Sequence, residues 1–272
     1  MTTSGASALA HYVSRWSLEP DGLPFATRHS WLLAVRQADK PCLLKLRKPE
    51  SDEYLTAALL SYFGGDGAVR LIAGDGPAVL MERACGVVSL MDMAAAGGDD
   101  AAAAVLAETI GKLHTERNMP PPQGLTPLEE WFKPLFQQEP KLPQLAAIVP
   151  VARALLAAPF APAVLHGDLH HDNVVFDQRR GWLAIDPKGL WGERTYEVAN
   201  LLRNPWPNAA LVHDADRMGR MAAFYAGRLG TTPRRVLQFA AAHAGLSASW
   251  QLEDGGDPLF SLRVAEIALG LV

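Results

Sequence analysis

The sequence contains little cysteine, since Cys42 and Cys85 are the only two among its 272 residues. Two cysteines cannot build the crosslinked framework of a small secreted domain, so we expect both to be buried, reduced thiols without a catalytic role. The first residues also lack the basic region and the apolar run of a secretory signal peptide. Together these absences predict a cytoplasmic protein.

Long apolar runs are missing as well. The most hydrophobic window, residues 146–165, contains Arg153 and the prolines Pro150, Pro159 and Pro162, which makes it poor material for a membrane span. No internal repeat occurs at any fixed period. With 49% hydrophobic and 20% charged residues, the composition is typical of a globular protein without a membrane partner.

A strong excess of basic charge is also absent, because the formal net charge is −4. Residues 1–83 carry nine basic and nine acidic residues, whereas residues 84–272 carry sixteen basic and twenty acidic ones. Proteins that bind nucleic acid usually present a basic surface, so we expect no nucleic-acid partner. The acidic excess in the carboxy-terminal two thirds allows a small cationic substrate.

Two short motifs carry most of the information in this sequence, LHGDLHHDN at residues 165–173 and LAIDPKG at residues 183–189. Kinase catalytic loops place a proton-accepting aspartate five positions before a metal-binding asparagine, and a second aspartate holds the metal that bridges the nucleotide phosphates. Magnesium prefers oxygen ligands and takes only one or two from protein side chains. We therefore predict Asp168 as the catalytic base and Asn173 and Asp186 as magnesium ligands.

The residues between these motifs predict a β-hairpin. Short apolar runs lie at residues 174–176 and 182–185, and the polar stretch 177–181 between them is typical of a turn. Such a hairpin would bring Asp186 back beside Asn173.

Two other interpretations of this segment are a zinc site formed by His166, His170 and His171, and a solvated acidic loop. No cysteine lies nearby, and neither interpretation accounts for the spacing of the two aspartates and the asparagine. We expect His170 and His171 to pack within the loop.

The first 83 residues predict a small antiparallel sheet with one helix. The helix is expected from Asp52 to about Phe63, and residues 6–16 are ambiguous between helix and strand. The expected strands lie at residues 24–28, 31–36, 42–46, 68–73 and 78–82.

From residue 84 onward the pattern becomes helical. A capping box at Thr126 and Glu129 would start one of the helices, and another would be kinked at Pro150 or begin there. The expected helices lie at about residues 101–116, 127–138, 145–158, 196–203, 214–228, 233–250 and from 258 onward.

Lys45 is a charged residue within an apolar strand, in the run LLKL at residues 43–46. In the kinase scheme this lysine binds the α- and β-phosphates and pairs with a glutamate on the following helix, here Glu53. The alternatives are an edge-strand lysine that points to solvent and a first-turn glutamate favoured by the helix dipole.

The motif HGD at residues 166–168, the segment IDPKG at 185–189 and the segment EVANLLRNP at 197–205 resemble the aminoglycoside phosphotransferases. More narrowly, they resemble the subgroup of streptomycin 6-phosphotransferases and hydroxyurea-resistance kinases, and residues 67–71 and 80–83 agree with it. The resemblance covers most of the chain and is specific at residues 165–205.

This resemblance implies an α+β, bilobal protein-kinase-like fold. Residues 1–83 would form a small antiparallel-sheet lobe with one helix that covers the nucleotide, and residues 84–272 a larger, mainly helical lobe that binds the substrate. It also implies transfer of the γ-phosphoryl group of ATP, with Mg²⁺, to a hydroxyl of an aminoglycoside, such as the 6-hydroxyl of streptomycin.

The same resemblance implies roles for individual residues. Lys45 would bind the phosphates and be held by Glu53, and Glu197 would brace the catalytic loop unless it is a helix-surface carboxylate. The crossover at Arg83 and Ala84 would offer backbone groups to the nucleotide base. An acidic pocket for a cationic substrate is expected from residues of the carboxy-terminal part, namely Glu193, Glu253, Asp254 and Asp257.

Departures from the protein-kinase pattern favour a small-molecule substrate. The hairpin around residues 27–30, before Lys45, contains no glycine, and Gly167 replaces the arginine that reads a phosphorylated activation loop. Another alcohol, an amino sugar or hydroxyurea stays open as acceptor, and so does a catalytically silent nucleotide-binding module. The sequence does not distinguish ATP from GTP, one metal ion from two, or one oligomeric state from another.

Overall fold

An antiparallel β-sheet forms the amino-terminal part of the molecule in this computed structural model, which describes residues 3–51 and 53–272. The strands follow the order β1-β3-β4-β6-β5, and β2 also pairs with β3. Their bounds are β1 Glu19–Pro20, β2 Phe25–Ala26, β3 Ser30–Gln37, β4 Lys40–Arg47, β5 Leu71–Asp75 and β6 Ala78–Glu82.

Lys45 lies on β4, an interior strand of this sheet. Its backbone pairs with Leu32 of β3 on one side and with Val79 of β6 on the other. The alternative of an edge-strand lysine pointing to solvent is therefore wrong, because the strand has a partner on both sides and the residue is only 7% exposed.

Two helices pack with this sheet in the described part of the chain, instead of the single one predicted. The ambiguous stretch at residues 6–16 belongs to the first, α1 (Thr3–Arg15), which covers one face of the sheet. The second, α2 (Thr56–Phe63), begins later than predicted, and Asp52 lies outside the described residues. Glu53 therefore precedes this helix, since the hydroxyl of Ser51 accepts its backbone N–H at 3.2 Å and favours a turn there.

The rest of the chain is mainly helical. The helices are α3 Leu90–Met93, α4 Asp99–Leu113, α5 Leu128–Trp131, α6 Lys133–Gln138, α7 Val149–Ala157, α8 Ala199–Leu202, α9 Ala209–Val212, α10 Ala215–Leu229, α11 Pro233–Glu253 and α12 Leu259–Gly270. The strands are β7 Thr126–Pro127, β8 Pro162–Leu165, β9 Val174–Asp177, β10 Gly181–Ala184 and β11 Leu190–Glu193.

Capping residues set several helix ends in the helical part of the chain. The side chains of Asp214 and Thr232 accept the backbone N–H groups of Arg217 and Arg235, at the starts of α10 and α11. Gly230 ends α10 in the left-handed conformation that glycine adopts at little cost. The boundary between α10 and α11 therefore agrees with the sequence prediction.

The capping box predicted at Thr126 is wrong. Thr126 and Pro127 are extended because they pair in parallel with Leu190 and Trp191 of β11, so Thr126 is a strand residue. The helix expected at 127–138 is also divided into α5 and α6, with Phe132 between them and a proline in the first turn of α6.

The β9–β10 hairpin is confirmed, with Trp182 opposite Phe176 and Ala184 opposite Val174. Backbone hydrogen bonds also join Ala184 to the segment before β5, from Ala184 N to Gly67 O at 2.8 Å and from Val69 N to Ala184 O at 3.1 Å. This pairing explains why β5 begins later than predicted, because residues 67–69 extend along the hairpin instead of along β6.

The cysteine prediction is half right. Cys42 is fully buried in β4, but Cys85 is exposed and both are free thiols. Cys85 lies in the short connection between β6 and α3, a segment without regular structure.

A large hydrophobic core runs through both the sheet and the helices. Leu59 and Phe63 of α2 and Met81 of β6 belong to the same packed cluster as Leu106 of α4 and Leu246 of α11. The long helix α11 lies at the centre of the helical part and packs against α6, α7, α8, α10 and α12. Among residues 3–51 and 53–272, each helix is too short or too polar to traverse a lipid bilayer.

Candidate active site

The loop between β8 and β9 brings Asp168 and Asn173 together. The amide Nδ2 of Asn173 donates to the backbone oxygen of Asp168 at 2.8 Å and lies 3.5 Å from its Oδ2. On the other side, Asn200 of α8 donates from Nδ2 to Asp168 Oδ1 at 3.2 Å. Two amides thus contact the two oxygens of one carboxylate, which fixes its orientation.

The β9–β10 hairpin carries Asp186 back to the side of Asn173. The backbone N–H of Ile185 donates to Asn173 O at 2.9 Å, and Asp186 follows directly. Asp186 has a φ of +62°, a left-handed conformation that is costly for residues other than glycine and that clusters at functional sites. The predicted proximity of these two residues is confirmed.

Lys45, Glu53, Asp186 and Lys188 form a cluster of alternating charge next to this loop. Lys45 Nζ lies 2.8 Å from Glu53 Oε2 and also donates to Asp186 Oδ1. Lys188 Nζ donates to the second oxygen of Glu53. The side chains of Lys45 and Glu53 are only 8% and 4% exposed, so these charges interact with little screening by solvent.

Glu53 should stabilise the fold in a pH-dependent way. Burial by itself raises the pKa of its carboxyl, but Lys45 and Lys188 outweigh burial and lower that pKa from 4.5 to about 2. A pKa that is lower in the folded than in the unfolded chain contributes stability that is complete above the unfolded value and is lost as the pH falls toward the folded value. We expect Glu53→Gln to lower the free energy of unfolding by roughly 3 kcal/mol near neutral pH and by about half of that at about pH 3.

Urea unfolding of both proteins at the two pH values measures this difference. Glu50→Gln is the matched control, because Glu50 is exposed three residues earlier and its replacement should change stability by less than about 0.5 kcal/mol. An equal loss for Glu53→Gln at both pH values would contradict the linkage.

His166 connects the two motifs through its ring. Its Nε2 lies 2.8 Å from Ile185 O, and its Nδ1 accepts the backbone N–H of Asp168 at 3.3 Å. Both ring nitrogens are therefore engaged with backbone groups, so the zinc interpretation of the three histidines loses its first ligand. His171 is buried, as expected for packing within the loop, and burial lowers its pKa to about 4.

Glu197 holds the loop between β8 and β9 in place. It is buried, and its two oxygens accept the backbone N–H groups of His166 and of Gly167, the latter at 3.2 Å. Burial raises the pKa of Glu197, and contact with His114 and these backbone groups offsets that effect and lowers it overall. The alternative of a helix-surface carboxylate is wrong.

Gly167 is required at this point for two reasons. Its φ is +85°, and a Cβ added there would lie 2.6 Å from Leu190 Cγ. The arginine of protein-kinase loops would not fit this backbone.

The crossover after β6 leaves Ala84 with free backbone groups. Within residues 3–51 and 53–272, its N–H and C=O make no hydrogen bond, whereas Gly86 donates to Phe176 O at 2.9 Å. The Arg83 side chain pairs with Asp21 and also interacts with Cys85 of the crossover. Contact of this segment with a nucleotide base stays a prediction.

Glu193 does not belong to an acidic substrate pocket. Its carboxylate is 1% exposed, binds the guanidinium of Arg235 through Nε at 2.6 Å and accepts the backbone N–H of Phe160 at 2.8 Å. This prediction is wrong because the buried carboxylate is already paired with Arg235. Asp254 is exposed but paired with Arg28, at 2.6 and 2.7 Å, which ties the turn before β3 to the end of α11.

Comparison with known proteins agrees with this geometry. A family model described as "Aminoglycoside/hydroxyurea antibiotic resistance kinase" matches residues 15–255, which is most of the chain. The chain belongs to this family of kinases. The kinase is 44% identical over 254 residues to the streptomycin 3″-kinase of Klebsiella pneumoniae, covering 89% of this chain and 92% of that protein. It is 32% identical over 291 residues to the streptomycin 6-kinase of Streptomyces griseus, covering 98% and 88%.

The fold of the kinase is shared with solved structures. The aminoglycoside phosphotransferase APH(4)-Ia, crystallised as a thermostable mutant with AMP-PNP and hygromycin B, superposes with a TM-score of 0.70. The match covers 97% of this chain and 98% of that chain at 14% identity. The predicted α+β, bilobal protein-kinase-like fold is therefore confirmed. Membership of the family makes the protein a phosphotransferase.

Oxygen atoms are available in this kinase for a magnesium ion. Because Nδ2 of Asn173 is used on Asp168, its Oδ1 is left without a donor among the described residues, and so is Oδ2 of Asp186. One amide oxygen and one carboxylate oxygen suit Mg²⁺, which takes few protein ligands and keeps several waters. The residues present therefore fit the ion that the family implies.

Several residues at the site of the kinase had no role in the sequence prediction. Lys188 is the second cation on Glu53, and its position within DPKG was a signal that could have identified it. Arg203 interacts electrostatically with Asp168: burial lowers the pKa of its guanidinium, and the carboxylate opposes that shift. Asn200 contacts Asp168 directly, but asparagine on a helix carries no distinctive pattern.

Proposed function

We propose that this kinase transfers the γ-phosphoryl group of ATP to a hydroxyl of streptomycin and thereby inactivates the antibiotic. The observation that carries the proposal is the meeting of Lys45 of β4 and Glu53 of the turn before α2 with Asp186, which follows the hairpin, beside the Asp168 loop. The cytoplasm, which supplies ATP, is the compartment in which we expect the reaction.

Asp168 acts as the base in this proposal. As the substrate oxygen forms its bond to the γ-phosphorus and the bond to the β-phosphate oxygen breaks, the hydroxyl proton passes to the Asp168 carboxylate and ADP leaves. Asn173 and Asn200 hold that carboxylate in place before the substrate arrives, so little reorientation is needed during the reaction.

Lys45 and the metal ligands account for the phosphate charge. Lys45 would leave Asp186 to bind the α- and β-phosphates while Glu53 keeps its ammonium in position. Asn173 and Asp186 would hold Mg²⁺, which neutralises charge on the phosphates when it is bound.

The nucleotide would lie between residues 1–83, which we propose as the amino-terminal lobe, and residues 84–272, the carboxy-terminal lobe. The free backbone groups of Ala84 would face the base, and the connection at Arg83 would act through its backbone. ATP is the proposed donor because the solved relative binds AMP-PNP.

The hydroxyl attacked is a separate question. The sequence resemblance predicts the 6-hydroxyl of streptomycin, and the relative with 32% identity is named for that position. The relative with 44% identity is named for the 3″-hydroxyl, which favours phosphorylation at 3″. The two hydroxyls lie on different rings of the antibiotic, so the product distinguishes them directly.

Magnesium-dependent release of ADP from ATP by the purified protein, with and without streptomycin, tests the proposal. We expect stimulation by streptomycin, and phosphorus NMR with fragment mass spectrometry of the product should place the phosphate on the ring that carries 3″. Stimulation by hydroxyurea, by an amino sugar or by another small alcohol, but not by streptomycin, would change the proposed substrate and keep the proposed chemistry. Nucleotide binding without turnover on any acceptor would favour a silent module.

A further inference from the structure

A continuous chain of hydrogen bonds leads from Asp168 into the core of the helical part. Asn200 Nδ2 donates to Asp168 Oδ1, so the amide oxygen of Asn200 points inward. That oxygen lies 3.1 Å from Nε2 of His243 on α11 and accepts from Asn204 Nδ2 at 3.0 Å. Since an amide oxygen only accepts, the hydrogen of the His243 ring must be on Nε2.

The position of this hydrogen also fixes the direction of the hydrogen bond on the other side of the His243 ring. With its hydrogen on Nε2, the neutral ring of His243 accepts at Nδ1, and the hydroxyl of Tyr196 lies 3.1 Å away to donate. The Tyr196 oxygen in turn accepts from Trp131 Nε1 at 2.8 Å. Every donor in the chain therefore points toward Asp168, from the indole through the phenol, the imidazole and the amide.

Burial keeps the chain in this single arrangement. Tyr196, Asn200 and His243 are 2%, 5% and 4% exposed. Burial lowers the pKa of the imidazole to about 3, so the ring is neutral near pH 7. Burial also raises the pKa of the Tyr196 hydroxyl, so it keeps its proton. Ser247 Oγ, at 3.4 Å from His243 Nε2, is a longer and weaker second acceptor.

Packing alone does not explain such a chain. Buried polar groups destabilise a core unless each finds a partner, and apolar side chains of similar volume would fill the same space without that requirement. In this series of hydrogen bonds every donor points toward Asp168, the carboxylate proposed to react. The buried polar residues therefore have a function that apolar side chains could not fulfil.

We propose that His243 is a positioning residue, which acts through Asn200 to hold the Asp168 carboxylate in the orientation that accepts the substrate proton. Tyr196 and Trp131 select the tautomer of His243 that lets Asn200 donate outward. The inference rests on the proposed role of Asp168 as the base and adds residues of α5, α11 and the turn before α8 to the machinery of the reaction.

Steady-state kinetics of single and double variants test the inference. Loss of one positioning hydrogen bond should lower kcat by about tenfold in His243→Leu and in Asn200→Ala, with KM for ATP and streptomycin within about twofold of wild type. If His243 acts only through Asn200, the double variant should lose no more than Asn200→Ala alone. Multiplied losses in the double variant would overturn the proposal.

Two further variants separate positioning from folding. His243→Gln keeps a donor where Nε2 stands, and we expect it to restore kcat to within about threefold of wild type. Ser249→Ala is the matched control on the same helix, because Ser249 is fully buried and donates to Gly245 O at 2.9 Å without touching the chain. It should lower the melting temperature and leave kcat unchanged. If His243→Leu does not fold, Tyr196→Phe takes its place and should lower kcat by a few fold.

A spectroscopic measurement keeps the inference independent of the substrate. In full-length protein labelled with ¹⁵N-histidine, His243 should show a bare Nδ1 and a protonated Nε2, and its Nε2–H signal should move in Asp168→Ala. A wild-type protein that shows this pattern but no turnover with streptomycin would refute the proposed substrate. It would still support the proposed series of hydrogen bonds from Trp131 to Asp168. A proton on Nδ1, or a signal that does not respond to Asp168→Ala, would overturn the inference whatever the kinetics show.

Discussion

Replacement of Asp168 by alanine is expected to lower kcat by about 10³-fold, because a positioned base contributes on this order to proton transfer. The KM for ATP should stay close to the wild-type value, since the phosphates are assigned to Lys45 and the metal ligands. Coupled measurement of ADP release under saturating streptomycin gives both quantities.

Asp172→Ala is the matched control for this variant. Asp172 lies on the same loop, and its side chain is 63% exposed, so its loss should leave kcat within about twofold of wild type. Asp168→Asn is the stricter test, because it keeps the size of the side chain and removes its basicity. A kcat for Asp168→Asn above about a tenth of wild type would remove Asp168 from the role of base.

Replacement of Asp186 by alanine should have an effect of similar size, for an electrostatic reason. The carboxylate is the one charged magnesium ligand proposed at the site, and removal of a charge-stabilising group from a preorganised site lowers kcat by about 10²- to 10³-fold. The magnesium concentration that gives half the maximal rate should rise as well. Titration of magnesium at fixed ATP, followed by ADP release, measures both changes.

Asn173→Ala should show the same shift in magnesium dependence, because it removes the second ligand, whereas Asp66→Ala should not. Asp66 is an exposed aspartate in the loop that leads to Gly67 and the hairpin, with a side chain that is 51% exposed. A magnesium dependence that is identical in Asp186→Ala and wild type would show that the ion is held elsewhere.

The core of the site was predictable because its information is local. Asp168 and Asn173 lie in the same loop, and the short β9–β10 hairpin returns the chain to Asp186. Lys45 was recognisable because an unpaired charge in an apolar strand requires an explanation, and Glu53 supplied its partner within a few residues. Short spacing leaves few geometric alternatives.

The wrong predictions concern residues whose structure depends on partners that are distant in the sequence. Thr126 has the form of a helix cap, but it pairs with a strand more than sixty residues later in the chain. Glu193 looks like a free surface carboxylate until Arg235 of α11 is brought against it. Local preference is overridden in both cases by a partner that only the complete fold provides.

The hydrogen-bonded chain behind Asp168 was missed for the same reason. His243 lies 43 residues after Asn200, in a helix that is otherwise typical of a hydrophobic core. A lone histidine on an apolar helix is not a signal by itself. Its meaning depends on Tyr196 and Asn200, which are placed beside it by the packing of α8 against α11.

The hydrophobic core that joins the sheet to the helices limits the motions open to this enzyme. Leu59 and Met81 from the sheet side pack in one cluster with Leu106 from the helical side, and a close-packed interior does not deform gradually. A swing of the whole sheet away from the helices would break that packing at every catalytic cycle. We therefore expect nucleotide and product to exchange without separation of the sheet from the helices. The ion pair between Arg28 and Asp254 holds the turn at residues 27–30 to the end of α11 as well, which restricts such a motion further.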